Sequence, residues 1–402
     1  MNFPPIKEQI DLLSRGVEDF VTAEELEKKL EQAEQTGKQL IAKLGADPSR
    51  PDLHIGHAVV LRKLRQFQDL GHQAVLIIGD FTASIGDPTG RNKTRPSISL
   101  DEARQYGLSY LEQAAAVLDR EKLRVVYNSE WLDTMNFTDV IRLAGQVTVA
   151  QMLERDDFSQ RYKGGVPISV HEFLYPLAQA KDSVHLQADV ELGGTDQLFN
   201  LLMGRELQKR AGQVPQVIMT VPLLEGTDGV EKMSKSYDNY IGLSDTPQDM
   251  FGKAMSIPDE MIIKYLTLTT DLDMTEVQEA KKKMESGENP RDYKRMLGRE
   301  LVKVYYGETA GQEAQDAFDQ LFIKKDIPDE MPEAEISEDK NLLNILADSG
   351  MFASKGEIKR LIKQNAVSID GEKTQDEFYT FADAGEFVIK AGKRKFLRVI
   401  RK

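Results

Sequence analysis

Short apolar segments alternate with amphipathic helical segments through the first 240 residues of this 402-residue chain, and this alternation constrains the fold more than any other feature. One helical pattern covers Ala23–Gln35 and another starts near His57. The predicted strands are Gln39–Leu44, Ala74–Ile78, Leu123–Tyr127 and Val217–Val221. The alternation predicts an α/β domain with a parallel sheet covered by helices on both faces, whose ligands bind where the strands end.

Composition excludes several classes of protein. With 40% hydrophobic and 29% charged residues the chain can bury a core, which excludes wholesale disorder and a collagen-like repeat. Because cysteine is absent, disulfides, thiolate metal sites and a cysteine nucleophile are excluded. The first residues lack a basic segment followed by an apolar run, and no stretch approaches the roughly 18 apolar residues that span a bilayer. We therefore expect a cytoplasmic protein.

Charge is distributed unevenly along the chain. The net charge is −14, yet residues 341–402 carry +4 and the first 340 residues carry −18. Residues 390–402 contain seven basic side chains and no acidic one. The acidic, proline-containing stretch 326–340 has the composition of an exposed linker, so we place a domain boundary near 330–340.

The basic C-terminal region has its own pattern of elements. We predict a helical segment over Asn341–Gln364, followed by short strands at Ala366–Ile369, Glu386–Ile389 and Phe396–Ile400. A run of charge alone is as often a solvated face as a binding surface. Combined with this pattern, it predicts a small α+β RNA-binding module.

The first candidate motif is His54-Ile55-Gly56-His57, which follows a turn and begins a helix. Taken alone, two histidines on a surface turn would be the more common interpretation. These two, however, lie three residues apart at a helix N-terminus, where backbone N–H groups and the helix dipole favour phosphate. Gly56 leaves room for a flat base to lie against the backbone.

The second candidate motif is Lys232-Met233-Ser234-Lys235-Ser236, in a polar stretch after the strand that ends at Val221. A pair of lysines in a loop ordinarily contributes only to solubility. In a mobile loop, however, two lysines could close over a polyphosphate and stabilise the charge that develops in a transition state.

Together, in this order and about 175 residues apart, the two motifs resemble the HIGH and KMSKS signatures of class I aminoacyl-tRNA synthetases. The resemblance implies a Rossmann-like catalytic domain in which the amino acid's carboxylate attacks the α-phosphate of ATP, so no protein nucleophile is needed. His54, His57, Lys232 and Lys235 would supply charge and hydrogen bonds around the phosphates. We expect ATP as substrate with Mg²⁺, and no metal site made by the protein's own side chains.

Tyr175, Gln179 and Asp182 lie between the two motifs in a segment of helical character. Offsets of four and seven residues place the three side chains on one helix face, which most often is a polar stripe and no more. Here they resemble the recognition helix of bacterial tyrosyl-tRNA synthetases. The resemblance implies that Tyr175 and Gln179 hold the α-amino group and that Asp182 accepts a hydrogen bond from the phenolic hydroxyl, which would reject phenylalanine.

Three further turns resemble loops of the same family: Gly45-Ala46-Asp47-Pro48-Ser49, Gly86-Asp87-Pro88-Thr89-Gly90 and Gly193-Gly194-Thr195-Asp196-Gln197. The resemblance places Gly45 in the tyrosine site and Asp47, Asp87 and Gln197 near the α-amino group. Gly194 and Asp196 would contact the ribose, while Gly56, Lys235 and Ser236 would bind ATP. Arg91 and Arg95 lie where a basic loop could reach pyrophosphate.

Two positions depart from the family's usual pattern. Lys43 stands where many tyrosyl enzymes have a tyrosine that contacts the phenol, and Lys181 stands where many have an aromatic residue. Our hypothesis is that Lys43 pairs with Asp80, and that Asp182 carries most of the recognition of the hydroxyl.

The resemblance covers nearly the whole chain and implies four segments. Residues 1–225 would be the catalytic domain that binds ATP and tyrosine, and residues 226–328 the KMSKS loop and a helical anticodon-binding domain. Residues 329–340 would be the acidic linker, and 341–402 the RNA-binding domain. The implied partners are L-tyrosine and tRNA(Tyr), and a homodimer is expected, with no association with a membrane.

Three other functions remain open at this point. A tryptophanyl enzyme would share the fold, but Asp182 and the basic C-terminal module disfavour it. A nucleotidyltransferase of the same superfamily would usually be shorter and lack an appended RNA module. A non-catalytic RNA-binding or splicing protein on a synthetase scaffold is disfavoured because both signatures are complete.

Overall fold

The computed structural model describes residues 3–48, 53–88, 98–322, 331–336, 340–352, 354–381, 384–392 and 395–401. Two compact units divide the chain, Met1–Ala314 and Gln315–Lys402. Among the described residues, no helix is both long and apolar enough to cross a membrane. Arg91, Arg95, Ser49, Thr89 and Gly90, which the sequence analysis singled out, lie outside the described residues.

The strands of the first unit are β1 (Phe20–Val21), β2 (Ile41–Ala46), β3 (Gln73–Ile78), β4 (Leu123–Tyr127), β5 (Val190–Gly194) and β6 (Val217–Val221). The helices that precede residue 323 are α1 (Ile6–Ser14), α2 (Ala23–Thr36), α3 (Ile55–Asp69), α4 (Asp80–Ile85), α5 (Leu100–Ala114), α6 (Ser129–Leu132), α7 (Phe137–Ala144), α8 (Val149–Met152), α9 (Asp156–Lys163), α10 (Leu174–Leu186), α11 (Leu198–Arg210), α12 (Pro247–Ser256), α13 (Ile262–Thr269), α14 (Met274–Glu285), α15 (Pro290–Tyr306) and α16 (Glu308–Phe322). Short 3₁₀ turns lie at Val170–Phe173, Thr195–Gln197, Lys235–Tyr237 and Asp259–Met261.

The sheet of this unit has the order β1-β6-β5-β2-β3-β4, and every neighbouring pair except β1 with β6 is parallel. The four predicted strands are confirmed, with β2 ending two residues later than expected, and so is the predicted fold class. The chain runs from β2 outward to β4 and then returns to the other side of β2 with β5. The direction of winding therefore switches between β2 and β5, which is where such sheets open a crevice for ligands.

The second unit contains α17 (Leu342–Asp348) and α18 (Lys355–Lys363) with strands β7 (Glu333–Ile336), β8 (Val367–Ile369), β9 (Glu372–Lys373), β10 (Gly385–Ala391) and β11 (Lys395–Arg401). Its sheet has the order β7-β11-β10-β8-β9. The helices bury Leu346, Ile358 and Ile362 against Ile389 and Val399 of the sheet. This α+β architecture is the one predicted for the C-terminal region.

Two predictions about this region are wrong in detail. The predicted helix Asn341–Gln364 is two helices, because the chain turns at Gly350, whose φ is +70°, and a new helix starts after Ser354. The predicted linker 329–340 contains strand β7, which pairs in parallel with β11. Ile336 of this strand is buried, Ala334 is partly buried, and Glu333 accepts a hydrogen bond from Arg398 at 3.0 Å, so exposed acidic residues alternate here with apolar residues that face the core.

Candidate active site

Strand ends and helix starts bring the two signature motifs into contact. Helix α3 begins at Ile55, directly after His54, and the backbone N–H of Ile55 donates to the carbonyl of Ile241, which follows the second motif. A Cβ added to Gly56 would lie 3.7 Å from Cβ of Met233, which is itself buried. The two motifs, far apart in the sequence, thus form one site.

The imidazole rings of His54 and His57 lie against each other, with centroids 3.8 Å apart. The pKa of His54 falls to about 2, because of burial first and then the neighbouring charges of His57, Lys232 and Lys235. Burial and then Lys232 lower the pKa of His57 to about 4. Both rings are therefore neutral at pH 7. Without a bound ligand the two histidines therefore offer hydrogen bonds, and the lysines carry the positive charge.

Neutral histidines give a direct spectroscopic prediction. In protein labelled with ¹⁵N-histidine, the ring signals of His54 and His57 should stay those of a neutral imidazole down to pH 5, because the folded-state pKa values lie below the ordinary value of about 6.5. Free histidine in the same tube serves as the reference, and His54→Asn and His57→Asn variants assign the signals. Titration of both rings above pH 6 would contradict the buried geometry.

The lysines of the second motif face the same crevice. Nζ of Lys232 lies 3.0 Å from Oδ2 of Asp196, at the end of β5. Nζ of Lys235 lies 5.5 Å from the centre of the Tyr240 ring, a cation–π contact. Ser236 is exposed, and its backbone N–H donates a hydrogen bond to the hydroxyl of Ser234. The ammonium group of Lys232 and the predicted ribose-binding residue Asp196 thus lie side by side.

The end of β2, helix α4 and the first turn of α10 form a polar cluster. Asp47 accepts hydrogen bonds from the hydroxyl of Thr82 at 2.7 Å and from the hydroxyl of Tyr175 at 2.9 Å. A Cβ added to Gly45 would meet no atom within 4 Å, so there is open space beside the end of β2. Two of the predicted tyrosine-site residues, Asp47 and Tyr175, are therefore bonded to each other.

A second polar cluster joins Asp87 to Gln197. The side-chain amide of Gln197 donates to Asp87 at 2.9 Å and accepts from Asn200 at 2.9 Å. Arg155, which is buried, donates to Asn200 at 3.1 Å and pairs with Asp87 at 3.4 Å. The sequence analysis missed Arg155, because a lone arginine after a helix gives no signal until the fold places it against Asp87.

Asp182 lies deep in the site, and only 3% of its surface is exposed. The indole N–H of Trp131 donates to Oδ1 at 2.8 Å, and the amide of Asn128 donates to Oδ2 at 3.4 Å. Burial raises the pKa of Asp182 to about 7, against the opposing effects of Lys43 first and then of these two donors. Asn128 and Trp131 were also missed, although both directly follow the predicted strand β4 and Trp131 is the one tryptophan of the chain.

The hypothesis that Lys43 pairs with Asp80 is wrong. Lys43 of β2 lies opposite Glu191 of β5, and their charged groups are 2.8 Å apart and buried. Asp80 lies beyond the end of β3, where it accepts from Ser129 at 2.7 Å and pairs with Arg104 at 3.1 Å. Register explains the difference, because facing residues of paired parallel strands project from the same side of the sheet.

Glu191 also accepts a hydrogen bond from Gln179, the remaining residue of the predicted recognition helix. The amide of Gln179 donates to Oε1 of Glu191 at 3.2 Å, and the hydroxyl of Ser183 donates to Oε2 at 3.1 Å. Gly194, at the end of β5, is close to Asp196, since a Cβ there would lie 2.6 Å from Oδ1 of that residue. The structure therefore joins the predicted residues into several separate polar clusters: Asp47 with Tyr175, Asp87 with Gln197, Gln179 with Glu191, and Lys232 with Asp196.

Comparisons with known proteins identify the family of this chain. A family model described as tRNA synthetases class I (W and Y) matches residues 35–323, and one described as the tyrosine–tRNA ligase SYY-like C-terminal domain matches residues 323–399. The tyrosine–tRNA ligase of Thermotoga maritima is 55% identical over 98% of this chain and 97% of its own length. That of Salinibacter ruber is 53% identical over 99% of this chain and 98% of its own.

Solved structures resemble the fold as well. A C-terminally truncated mitochondrial tyrosyl-tRNA synthetase of Aspergillus nidulans has a TM-score of 0.63 at 21% identity, covering 79% of this chain and 94% of that one. A tyrosyl-tRNA synthetase of Archaeoglobus fulgidus complexed with L-tyrosine has a TM-score of 0.63 at 24% identity, covering 77% of this chain and 100% of that one. From the identity over nearly its full length and the two family models, the chain belongs to the tyrosine–tRNA ligase family of class I tRNA synthetases.

Proposed function

We infer that this chain, as a member of its family, activates L-tyrosine with ATP to tyrosyl-adenylate and pyrophosphate. It then transfers the tyrosyl group to the 3′-terminal adenosine of tRNA(Tyr). The observation that supports this most is the contact between the two signature motifs, in which Met233 lies beside Gly56 and Ile55 is hydrogen-bonded to Ile241. Intact signatures argue against a non-catalytic RNA-binding protein, and the tyrosyl relatives argue against a tryptophanyl enzyme.

In the adenylation step the tyrosine carboxylate attacks the α-phosphate, and pyrophosphate leaves with the electron pair of the broken P–O bond. Negative charge on the phosphates is stabilised by the ammonium groups of Lys232 and Lys235, which act without proton transfer. The neutral rings of His54 and His57 can each donate one N–H hydrogen bond to a phosphate oxygen. ATP enters as its magnesium complex, in which phosphate oxygens and water hold the ion.

The part of the site that binds tyrosine has polar residues both where the phenolic hydroxyl lies and where the α-ammonium group lies. Asp182 accepts a hydrogen bond from the phenolic hydroxyl, while Asp47, Tyr175, Asp87 and Gln197 surround the α-ammonium group. Phenylalanine is rejected because it would leave the buried carboxylate without its partner. The ribose lies at Gly194 and Asp196, so Lys232 must leave Asp196 when ATP binds.

The assignment is tested by charging tRNA with labelled tyrosine, using tRNA whose terminal ribose has been oxidised by periodate as the control. Charging of intact tRNA with tyrosine, and no charging of oxidised tRNA, is the expected result. Periodate cleaves the terminal ribose diol to a dialdehyde and so removes both acceptor hydroxyls, while the rest of the tRNA stays intact and activation of tyrosine needs no tRNA. Absence of charging with any amino acid would contradict the proposal.

We assign the anticodon-reading role to the helices within residues 226–328 and a second RNA-binding role to residues 341–402. Basic residues of the C-terminal unit include Lys355, Lys359 and Arg360 on helix α18, which has a strongly segregated apolar face. RNA affinity of such a surface falls steeply with salt.

Removing residues 323–402 should lower charging of tRNA about tenfold or more at physiological salt, because basic contacts to the RNA backbone are lost. Adenylate formation, measured by pyrophosphate exchange without tRNA, should change less than about twofold in the same variant. The cut follows α16 and removes β7 together with its partner β11. Equal loss of charging and of adenylate formation would contradict the separate RNA-binding role of the C-terminal residues.

A homodimer is also proposed, formed through the stretch from α7 to Val170. No side chain of α7 is buried, and Phe137, Ile141, Val149 and Val170 are all more than half exposed. Large apolar side chains in such a group are typical of a protein–protein interface. The cytoplasmic location expected from the sequence remains a prediction.

A further inference from the structure

The second signature motif belongs to a segment that is folded back on itself. We call residues 224–239 the signature loop. The backbone N–H of Met233 donates to the carbonyl of Leu224 at 3.0 Å, and that of Gly226 donates to Glu231 at 2.8 Å. The N–H of Thr227 donates to the carbonyl of Asn239 at 2.8 Å and ties the far end to the start. The loop therefore has a defined internal structure.

Its centre is the side chain of Asn239, which is only 3% exposed. Oδ1 of Asn239 accepts a hydrogen bond from the backbone N–H of Ser234 at 2.8 Å. Nδ2 donates to Oδ2 of Asp228 at 2.7 Å and to the carbonyl of Glu231 at 3.3 Å. One buried amide thus joins three separate points of the loop.

Asp228, which accepts the hydrogen bond from Nδ2 of Asn239, also binds the backbone of the loop. Its second oxygen, Oδ1, accepts hydrogen bonds from the backbone N–H groups of Val230 at 2.9 Å and Glu231 at 3.1 Å. The pKa of Asp228 lies below its ordinary value, because of the N–H of Val230 first and then the amide of Asn239. The carboxylate therefore connects the turn that precedes Lys232 to the amide at the centre.

Gly226 shows how tightly the amide is enclosed. A Cβ added at this residue would lie 2.2 Å from both Cγ and Nδ2 of Asn239 and 2.4 Å from its carbonyl oxygen. No side chain fits at position 226 while Asn239 keeps its place. The amide is therefore held by shape as well as by hydrogen bonds.

The bond from Ser234 to Asn239 acts on the position of Lys235. Ser234 has extended backbone angles and caps the 3₁₀ turn Lys235–Tyr237, with its hydroxyl accepting from the N–H of Ser236 at 3.2 Å. On its other side Met233 is buried beside Gly56 of the first motif. The amide of Asn239 therefore fixes the residue between the buried anchor Met233 and the phosphate-facing Lys235.

We propose that Asn239 and Asp228 form an amide–carboxylate pin that preassembles the signature loop, and that Asn239 is a positioning residue for the adenylation step. The pin lowers the entropy that must be lost when Lys232 and Lys235 close on ATP. The inference rests on the role proposed above for these two lysines. It adds a residue outside the five-residue signature on which the signature depends.

The test exchanges the two groups of the pin. Asn239→Asp alone places two carboxylates against each other, and Asp228→Asn alone places two amides against each other. The double variant restores one amide facing one carboxylate and still offers acceptors to the backbone N–H groups of Ser234, Val230 and Glu231. It loses the longer bond from residue 239 to the carbonyl of Glu231, at 3.3 Å. The matched control is Asp238→Asn, since Asp238 is exposed and has φ of 53°, which asparagine tolerates.

Single-turnover formation of tyrosyl-adenylate is measured over a range of ATP concentrations, with tyrosine binding measured separately without ATP. Each single variant should lose about tenfold in kcat/KM for ATP, the cost of a broken, half-buried hydrogen bond to a charged group. The double variant should recover to within about threefold of the parent, and Asp238→Asn should match the parent. Tyrosine binding should be unchanged in all four proteins.

Parent-like single variants, a double variant no better than the singles, or loss of tyrosine binding would each overturn the pin. Lys235→Met separates this outcome from failure of the proposed function. If Lys235→Met loses adenylate formation while the single pin variants do not, only the pin is wrong. If Lys235→Met keeps full activity, the role assigned to the signature is wrong as well.

Discussion

Replacing Lys235 by methionine should lower the rate of adenylate formation by about two to three powers of ten. The substitution keeps the length and apolar stem of the side chain and removes the ammonium group. That group stabilises charge as the α-phosphate is attacked, and the loss of one such preorganised contact typically costs about 3–4 kcal/mol in the transition state. The measurement is the single-turnover rate at saturating tyrosine and ATP.

Lys253→Met is the matched control for this variant. Nζ of Lys253 lies 4.7 Å from the same Tyr240 ring that Lys235 contacts, but it is paired with Asp245 at 2.7 Å. Its removal should change the rate by less than about threefold. Comparable losses in both variants would mean that packing on Tyr240, and not charge at the phosphates, explains the effect of Lys235.

Replacing Asp182 by alanine should lower the preference for tyrosine over phenylalanine by about a hundredfold. The parent site loses a hydrogen bond to a charged group when phenylalanine binds, whereas the variant has no such group to leave unpaired. The expected change is asymmetric, because kcat/KM should fall for tyrosine and stay level or rise for phenylalanine. A variant that merely misfolds would lose both activities, so the opposite directions identify the role.

The raised pKa of Asp182 adds a pH dependence to the same experiment. In the free enzyme the carboxyl is half protonated near pH 7, and protonation removes the acceptor charge. In the parent, kcat/KM for tyrosine should therefore decline as the pH falls below 7, and the ratio to phenylalanine should decline with it. A ratio that is constant from pH 8 to pH 5, or an Asp182→Ala variant that keeps its preference, would contradict the assignment.

Most of the sheet could be predicted because strands β2, β3, β4 and β6 are short apolar runs between turns. Strand β5 was missed, since Val190–Gly194 contains a glutamate and two glycines and shows no apolar run. Glu191 is buried there beside Lys43 of β2 and accepts hydrogen bonds from Gln179 and Ser183, and a pairing between strands is not visible in either segment alone. The same pairing explains why the partner proposed for Lys43 was wrong.

The sequence predicted the site residues that belong to a recognisable motif. It missed the residues that reach the site only through the folding of the chain. His54, His57, Lys232 and Lys235 stand in two recognisable motifs, but their contact depends on Met233 packing beside Gly56. Trp131, Asn128 and Arg155 act on Asp182 and Asp87 from distant parts of the sequence. The protonation state of the two histidines could not be predicted from the sequence either, because their lowered pKa values follow from burial in the fold.

We expect the crevice between β2 and β5 to activate tyrosine in particular. Exchange of labelled pyrophosphate into ATP, with tyrosine, phenylalanine and tryptophan offered separately and no tRNA present, tests it most directly. We predict exchange that depends on tyrosine and is absent or far weaker with the other two. Exchange with tryptophan would contradict the role of Asp182, and no exchange with any of the three would contradict the adenylation chemistry itself.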